Sequence, residues 1–437
     1  MRRGMAGLVL VLLLAVNLRP ALAAPAAGHP SSDSDLARAL DAWAKPLVAR
    51  GDLSGQLLVA RRGRVILERK YGWADVELRA PMTPETRLAI ASITKPMTVM
   101  LAFREMERHA IGYHDSIARW IPDFPEANRI TIATLLRHRS GIPHQIVPDS
   151  EAVRPRTAAE MVERAKHEPL DFEPDAREQY STGGFTVLAR VLELASGRSY
   201  DQLLDEELFG PLGMTHSTNS SSRELLPGRA HGYVPGPQGI ENAALQDFSG
   251  LVGGGSVWST ARDLHRFVQA IVTGELGEVA RVSWVRNGQL SFNGRVEGFT
   301  CYATWDSTTD LEVTFLANLV TGAPDLLRDA VVALAGGGRP PAIDLPALAA
   351  TPLDAEAVRR VLGSYRLENG TVLRMWARGA QLYSNDWPLL PTVDGALFSP
   401  RDYGLIRMVA GDDGRIARLD WTQRGQVYPA PRVPETR

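Results

Sequence analysis

Segments with the pattern of β-strands lie at two places far apart in this sequence. Residues 55–72 predict a hairpin, because two apolar runs flank the turn-like pair Arg62-Gly63. Further strands are predicted within residues 281–318, whereas the spacing of apolar residues from about 110 to 250 favours helices. This order predicts an α/β fold of the α+β type, whose antiparallel sheet combines strands from both ends of one domain.

A change of pattern near residue 354 predicts a second, small all-β domain. Asn369-Gly370 is a strong hairpin signal, and residues 416–421 alternate between apolar and polar as in a half-buried strand. The residues of this domain suggest no chemistry, which favours a packing or lid role. The predicted boundaries are 24–340 for the main domain, 341–353 for a linker rich in Pro and Ala, and 354–437 for the small domain.

The first residues, 1–23, have the features of a signal peptide. Arg2 and Arg3 form a basic start, residues 8–16 are an apolar run that is short for a membrane span, and residues 21–23 form a small-x-small cleavage site. We therefore expect a periplasmic or secreted protein with no stable membrane span after cleavage. An uncleaved membrane anchor is the alternative interpretation.

Composition and charge exclude several classes of function. The 437 residues carry 48 Lys and Arg against 50 Asp and Glu, a net charge of −2 that gives no reason to expect nucleic acid as a partner. Cys301 is the single cysteine, so no intrachain disulfide is possible. The nine histidines show no metal-ligand spacing, and we expect neither a metal nor a cofactor. The sequence also has no Gly-x-Ser-x-Gly motif of the α/β-hydrolases.

A serine followed by a lysine three residues later is the strongest chemical signal in the sequence. Ser92 and Lys95 share one face if a helix begins near Ser92, and Pro96 fits only the first turn of such a helix. An amine beside a serine hydroxyl can accept its proton and so make it a nucleophile. The alternative interpretation is an N-capping serine beside a solvated lysine.

Four further stretches give residues 34–337 a resemblance to the serine β-lactamase-related family. The sequence Leu-Leu-Arg-His-Arg-Ser-Gly at 135–141 resembles a family loop, and Tyr180-Ser181-Thr182 resembles its Tyr-x-Asn motif. The other two stretches are 209–214 and 253–260. The family includes class C β-lactamases, penicillin-binding DD-peptidases, esterases and D-amino-acid amidases. The resemblance implies an antiparallel sheet flanked by helices with a helical subdomain, and the C-terminal domain resembles the lipocalin-like extension often appended to this family.

The resemblance implies that Tyr180 is the third catalytic residue, beside Ser92 and Lys95. A phenol ionises near pH 10 and is a poor base at pH 7. We expect the Lys95 ammonium to lower the pKa of Tyr180, so that the two groups share the proton of Ser92. The sequence leaves open which of them is the base. His138 in the loop is interpreted as structural.

The third family motif, a Lys or His followed by x-Gly on a strand, is assigned to Phe292-Asn293-Gly294. By resemblance, the Arg295 N–H joins that of Ser92 in an oxyanion hole, and Gly294 permits a close backbone approach. Phe292 replaces the cationic residue, so it offers no charge to a substrate carboxylate, although Arg295 is a possible substitute.

A second departure from the family pattern is Thr182, which stands where Asn usually contacts the acyl amide. The expected substrate-binding or oxyanion residues are Thr182, Phe292, Asn293, Gly294 and Arg295. The departures at Phe292 and Thr182 shift the expectation from a β-lactamase toward an esterase or amidase, within a class that also includes D-peptidases. The expected activity is that of an exported serine hydrolase acting through an acyl-enzyme on a small-molecule or peptide ester or amide, with cell-wall fragments among the candidates. The alternatives are a β-lactamase or DD-carboxypeptidase, and a non-catalytic, penicillin-binding-like ligand-binding protein.

Overall fold

The computed structural model describes residues 32–148, 151–385, 387–412 and 414–434, and the predicted signal peptide at 1–23 lies outside them. The described residues form two compact units. The first unit comprises residues 55–231 and 244–318, and the second comprises residues 32–54, 232–243 and 319–434.

A five-stranded antiparallel sheet is the framework of the first unit. In chain order, strands β1 to β12 are β1 (Gly55–Arg61), β2 (Arg64–Tyr71), β3 (Trp73–Asp75), β4 (Ala80–Pro81), β5 (Leu88–Ala89), β6 (Thr218–Asn219), β7 (Tyr233–Gly236), β8 (Gly239–Asn242), β9 (Val257–Ser259), β10 (Gln289–Val296), β11 (Phe299–Asp306) and β12 (Leu311–Ala317). The sheet has the order β10-β11-β12-β1-β2; the smaller sheets are β3-β4 and β5-β9-β6 in this unit and β7-β8 in the second unit.

The sheet brings together strands from both ends of the first unit, as predicted. β1 pairs with β12 from Gly55 opposite Ala317 to Arg61 opposite Leu311. Every residue of β12 is buried, which fits its central place, whereas β10 at the edge alternates between exposed and buried residues. The mixed fold with an antiparallel sheet is therefore confirmed.

Helices supply the rest of the first unit and part of the second. They are α1 (Asp33–Arg50), α2 (Thr94–Glu107), α3 (Ile132–Leu136), α4 (Ala158–Ala165), α5 (Thr182–Ser196), α6 (Tyr200–Leu204), α7 (Ala261–Val272), α8 (Glu278–Trp284), α9 (Ala323–Ala335) and α10 (Ala355–Val361). α7 lies against β1 and β12, and its N-cap Thr260 accepts the Asp263 N–H. None of the described helices is long and apolar enough to cross a membrane.

Two buried helices, α2 and α5, pack against each other in the first unit and carry the residues of the candidate site. Nearly every residue of α2 is buried, including Met97, Met100 and Leu101. α5 also packs against α3 and α4. Because both helices are enclosed by apolar side chains, polar groups on their facing sides must find partners inside the protein.

The second unit contains a closed antiparallel β-barrel together with α1, α9 and α10. The barrel strands are β13 (Gly363–Arg366), β14 (Val372–Arg378), β15 (Gln381–Ser384), β16 (Trp387–Pro391), β17 (Leu397–Ser399), β18 (Gly404–Ala410), β19 (Ile416–Gln423) and β20 (Gln426–Val433). β13 pairs with β20 and closes the barrel around an apolar core. The predicted small all-β domain is confirmed, and its exact boundaries remain predictions.

Candidate active site

Ser92 lies in a short 3-10 turn, Ala91–Ile93, that leads directly into α2. Ala91 and Ile93 are buried, whereas Ser92 is partly exposed. Ala91 has a φ of 49°, in the left-handed region that residues with a side chain rarely occupy. Such conformations persist where the surrounding structure enforces them, and they are common at functional sites. The turn thus presents the Ser92 hydroxyl at the start of a buried helix.

The Lys95 side chain is almost fully buried, at 1% exposure, and its amine has three partners. Lys95 Nζ lies 2.7 Å from the Gly254 carbonyl oxygen, 3.0 Å from Thr182 Oγ1 and 3.3 Å from Ser92 Oγ. Burial lowers the pKa of Lys95 to about 7, because a buried ammonium loses its hydration. A large fraction of the amine is therefore neutral at pH 7.

The geometry of these partners fits a neutral amine that acts as a base. A neutral amine has two N–H groups and one lone pair, whereas an ammonium has three N–H groups. The Gly254 carbonyl can only accept, and Thr182 Oγ1 can also accept. When these two oxygens take the two N–H groups of neutral Lys95, the lone pair faces Ser92 Oγ.

The loop that supplies the Gly254 carbonyl is held by hydroxyl groups from both core helices. Thr98 Oγ1 on α2 donates to the Gly253 carbonyl at 2.6 Å, and Thr186 Oγ1 on α5 donates to the Val252 carbonyl at 3.0 Å. A Cβ at Gly254 would lie 2.6 Å from Thr182 Cγ2, so only glycine fits there. Three successive carbonyls are thus fixed, and the last of them orients Lys95.

Tyr180 completes the arrangement from the segment just before α5. Its O–H donates to Ser92 Oγ at 2.8 Å, and Lys95 Nζ lies 4.7 Å from the centre of its ring. The expected lowering of the Tyr180 pKa is wrong, because burial raises the pKa of Tyr180 to about 12. Tyr180 is therefore a protonated phenol at neutral pH, suited to donate a proton rather than to remove one.

Gly294 lies directly beside the backbone of the Ser92 turn. A Cβ built on Gly294 would be 2.9 Å from Ser92 N, 2.5 Å from the Ile90 carbonyl oxygen and 2.9 Å from Cys301 Sγ. These distances are too short for any side chain, so the glycine allows strand β10 to approach the nucleophile. The predicted close backbone approach is confirmed, while the second oxyanion donor, the Arg295 N–H, stays a prediction.

The other residues of the assigned third motif lie on the two faces of β10. Phe292 is 5% exposed, and its ring lies 5.2 Å from that of Trp284 and 6.3 Å from that of Phe267. The predicted role of Phe292 in substrate binding is therefore not supported, since its ring belongs to the core. Asn293 and Arg295 are exposed on the opposite face of the strand.

Two groups of the site were not predicted from the sequence: the Gly254 carbonyl and the His144 imidazole. The Gly254 carbonyl has no side-chain signature, although its glycine-rich stretch was noticed. His144 lies beside Tyr180, with ring centres 5.4 Å apart, and its Nδ1 accepts the Thr182 N–H at 3.2 Å.

Within the described ranges, no group of three or more His, Cys, Asp or Glu side chains is placed to hold a metal ion.

Removing the phenol oxygen with Tyr180→Phe tests the assignment of Tyr180 as a proton donor. We expect kcat/KM to fall by about 100-fold for an alkyl ester, the lower end of the range for a general acid or base. The fall should be smaller for a p-nitrophenyl ester, because that leaving group departs without protonation. Steady-state assays on the two esters measure the difference, and equal losses on both would contradict the acid role.

Comparison with known proteins agrees with this geometry. A family model described as Beta-lactamase matches residues 40–337. The chain belongs to the β-lactamase family. The resemblance inferred from the sequence is thereby confirmed. The match covers the strands, helices and loops that bring Ser92, Lys95 and Tyr180 together.

Two relatives of this family member carry names that refer to penicillin binding or to D-alanine. Penicillin-binding protein 4* of Bacillus subtilis (strain 168) is 31% identical over 236 residues, which are 50% of this chain and 52% of the relative. Teichoic acid D-alanine hydrolase of Staphylococcus aureus (strain MRSA252) is 24% identical over 218 residues, 50% of this chain and 54% of the relative. The match thus spans about half the length of each relative.

Solved structures of the same fold differ in how much of this family member they cover. D-amino acid amidase from Ochrobactrum anthropi SV3, complexed with L-phenylalanine amide, has a TM-score of 0.59 and 23% identity, covering 65% of this chain and 92% of that chain. The octameric penicillin-binding protein homologue from Pyrococcus abyssi has a TM-score of 0.59 and 19% identity, covering 91% and 99%. At these identities the likeness shows the fold alone.

Proposed function

We propose that this protein is a serine hydrolase that cleaves an ester or an amide through an acyl-enzyme on Ser92. The observation that carries the proposal is the convergence on Ser92 Oγ of a buried amine and a phenol, Lys95 Nζ at 3.3 Å and the Tyr180 oxygen at 2.8 Å. A nucleophile, a base with a pKa near 7 and a proton donor are the parts that acyl transfer requires.

The first half of the reaction follows from these protonation states. Neutral Lys95 takes the proton of Ser92 while Oγ forms a bond to the substrate carbonyl carbon. The carbonyl oxygen becomes an oxyanion beside the Ser92 N–H and strand β10. When the intermediate collapses, the bond to the leaving group breaks and Tyr180 gives that group a proton. Lys95 restores the phenol proton, and the acyl group stays on Ser92.

The second half repeats the path with water. Lys95 is neutral again after the leaving group departs with its proton, so it can remove a proton from a water molecule that attacks the acyl carbon. The acyl bond to Ser92 Oγ then breaks, and the serine recovers its proton. The two halves use the same three groups, and no metal or cofactor takes part in the proposed steps.

The proposed substrates are esters or amides of small acyl or aminoacyl groups, including those derived from the cell wall. Two proteins similar to this chain have names that refer to D-amino acids, a D-amino acid amidase and a teichoic acid D-alanine hydrolase. Phe292 lies in the core, so β10 lacks the cation that the family presents at this position to a substrate carboxylate. This favours an esterase or amidase over a β-lactamase or DD-carboxypeptidase.

Export to the periplasm or the exterior is part of the proposal and rests on the sequence. The basic start, short apolar run and small-x-small site at residues 1–23 are those of a signal peptide. Fractionation of cells that express the full chain, with N-terminal sequencing of the mature protein, tests this part separately from activity.

Covalent labelling tests the proposed nucleophile. We expect a fluorophosphonate probe to add one adduct per chain, located on Ser92 by peptide mass spectrometry, and Ser92→Ala to remain unlabelled. Ser196→Ala, at the end of α5, is the matched control and should label like the wild type. If the wild type is neither labelled nor active on p-nitrophenyl esters, D-alanine amide and nitrocefin, the non-catalytic ligand-binding alternative is favoured.

A further inference from the structure

We propose that His138 and His144 are positioning residues for this reaction: both imidazoles accept backbone N–H groups at the start of α5 and thereby hold Tyr180 against Ser92 and Thr182 against Lys95. The proposal rests on the proposed hydrolase function. It adds two residues to the catalytic arrangement, neither of which contacts the reacting atoms.

The two imidazoles satisfy successive backbone donors at the beginning of α5. The N–H of Ser181, the N-cap residue, donates to His138 Nδ1 at 3.1 Å. The N–H of Thr182, the first helical residue, donates to His144 Nδ1 at 3.2 Å. The first N–H groups of a helix have no partner within the helix, so outside acceptors fix where its chain begins.

The next two backbone N–H groups of α5 also have acceptors, on His144 and on the N-cap residue Ser181. The Gly183 N–H donates to the His144 carbonyl at 3.2 Å, and the Gly184 N–H donates to Ser181 Oγ at 2.8 Å. His144 thus holds two consecutive N–H groups, one with its side chain and one with its backbone. All four donors are paired, and two of the acceptors are histidine rings.

These caps lie between the two groups that must be placed on Ser92 and Lys95. Tyr180 precedes the first capped residue, and its ring lies 4.7 Å from that of His138 and 5.4 Å from that of His144. Thr182 carries the second capped N–H, and its Oγ1 accepts from Lys95 Nζ at 3.0 Å. A shift of this backbone would move the phenol and the Thr182 hydroxyl together.

Each imidazole can act as an acceptor only when its Nδ1 is unprotonated. A protonated imidazole has N–H groups on both nitrogens and would oppose the backbone donor. Among the described residues, Lys95, Tyr180 and the other imidazole of the pair are the titratable groups that face these rings. A positive charge on either ring would also lie near Lys95, which disfavours that charge.

The two histidines differ in how readily their imidazoles are protonated as the pH falls. His138 is 2% exposed, and burial lowers its pKa to about 3, so it stays neutral across the working range. Partial burial and the neighbouring Lys95 lower the pKa of His144, although much of this side chain stays exposed to solvent. His144 is therefore the cap that opens first as the pH falls. Activity should then be lost in two steps, the first from protonation of Lys95 and the second from protonation of His144.

The acid side of the pH profile tests this proposal with His144→Asn and His144→Ala. The Asn side chain can place an amide oxygen near the position of Nδ1 and does not titrate. We expect His144→Ala to lower kcat about tenfold, since loss of this acceptor at the helix start displaces the attacking groups. His144→Asn should recover most of this loss, and His167→Asn, an exposed histidine after α4, should behave like the wild type.

The slope of log kcat/KM against pH separates positioning from a merely structural role. Around the pKa of His144, log kcat/KM of the wild type should fall by about one log unit more than a line of slope 1, and in His144→Asn the slope should stay at 1. The same extra loss in His144→Asn as in the wild type, or no rescue relative to His144→Ala, would overturn the proposal.

An activity-independent measurement keeps this proposal distinct from the proposed function. In protein labelled with ¹⁵N-threonine, the amide signal of Thr182 should shift with the titration of His144 in the wild type and not in His144→Asn. If the wild type hydrolyses no ester, the hydrolase function fails, yet the capping arrangement is supported or overturned by this titration alone. A Thr182 amide signal that does not change with pH in the wild type would overturn the proposed capping arrangement.

Discussion

Lys95→Met is expected to lower kcat/KM for p-nitrophenyl acetate by about 10⁴-fold, the upper end of the range for general acid–base catalysis. Methionine fills a similar buried volume but cannot accept the Ser92 proton. The loss should lie mainly in kcat, because Lys95 is buried beneath the nucleophile and has protein partners for all its hydrogen bonds. Lys166→Met, which removes a lysine paired with surface carboxylates, is the matched control and should retain activity.

The pH profile of the wild type provides the second measurement of this prediction. The neutral amine is the active form, and burial lowers the pKa of Lys95 to about 7. Activity should therefore rise with pH through about 7 and level off above it, with Tyr180 still protonated because its pKa is raised to about 12. A wild-type profile flat from pH 5 to 9, or a Lys95→Met variant within tenfold of the wild type, would contradict the assignment of Lys95 as the base.

The second large effect is expected for Gly294→Ala, a change of one methyl group. The new Cβ would lie 2.5 Å from the Ile90 carbonyl oxygen and 2.9 Å from Ser92 N, so strand β10 and the Ser92 turn must move apart. Because the Ser92 N–H is the proposed oxyanion donor, we expect kcat to fall by about 10³-fold, the upper end of the range for one missing donor. Steady-state kinetics on p-nitrophenyl acetate measures this loss.

A control separates this local effect from general damage. Gly250→Ala adds the same methyl group in the same unit, where it would meet only Met161 Sδ at 3.8 Å. We expect this variant to keep near wild-type kcat. Circular dichroism and the melting temperature of both variants show whether Gly294→Ala is still folded. A folded Gly294→Ala variant with wild-type kcat would exclude the proposed oxyanion geometry.

The parts of the site that depend on local geometry could be predicted from the sequence. Ser92 and Lys95 are three residues apart, and a helix that starts near Ser92 necessarily brings their side chains together. Tyr180 is distant in the chain, and only the family resemblance connected it to Ser92. His144 had no signal, because an exposed loop histidine acquires its role from the helix end that it happens to cap.

The predictions for Tyr180 and Phe292 were wrong or unsupported because tertiary packing decides the pKa of the first and the orientation of the second. The charge of Lys95 near Tyr180 is evident from the sequence, but the extent to which burial desolvates the phenol is not, and burial is the larger effect on its pKa. Phe292 was placed correctly on a strand beside Gly294, and alternation along that strand then directs its ring into the core. Whether a strand residue faces a cleft or the interior depends on which face is covered, and the sequence alone does not contain that information.

The pairing of β1 with β12 has a consequence for how the chain is made. β1 ends at Arg61, and its partner strand does not end until Ala317. At a synthesis rate of about 5–20 residues per second, the first strand waits roughly 13–50 seconds for that neighbour. During this interval a ribbon of apolar side chains has an open edge that could pair with other nascent chains, so a holding chaperone should bind the first hairpin until the late strands arrive.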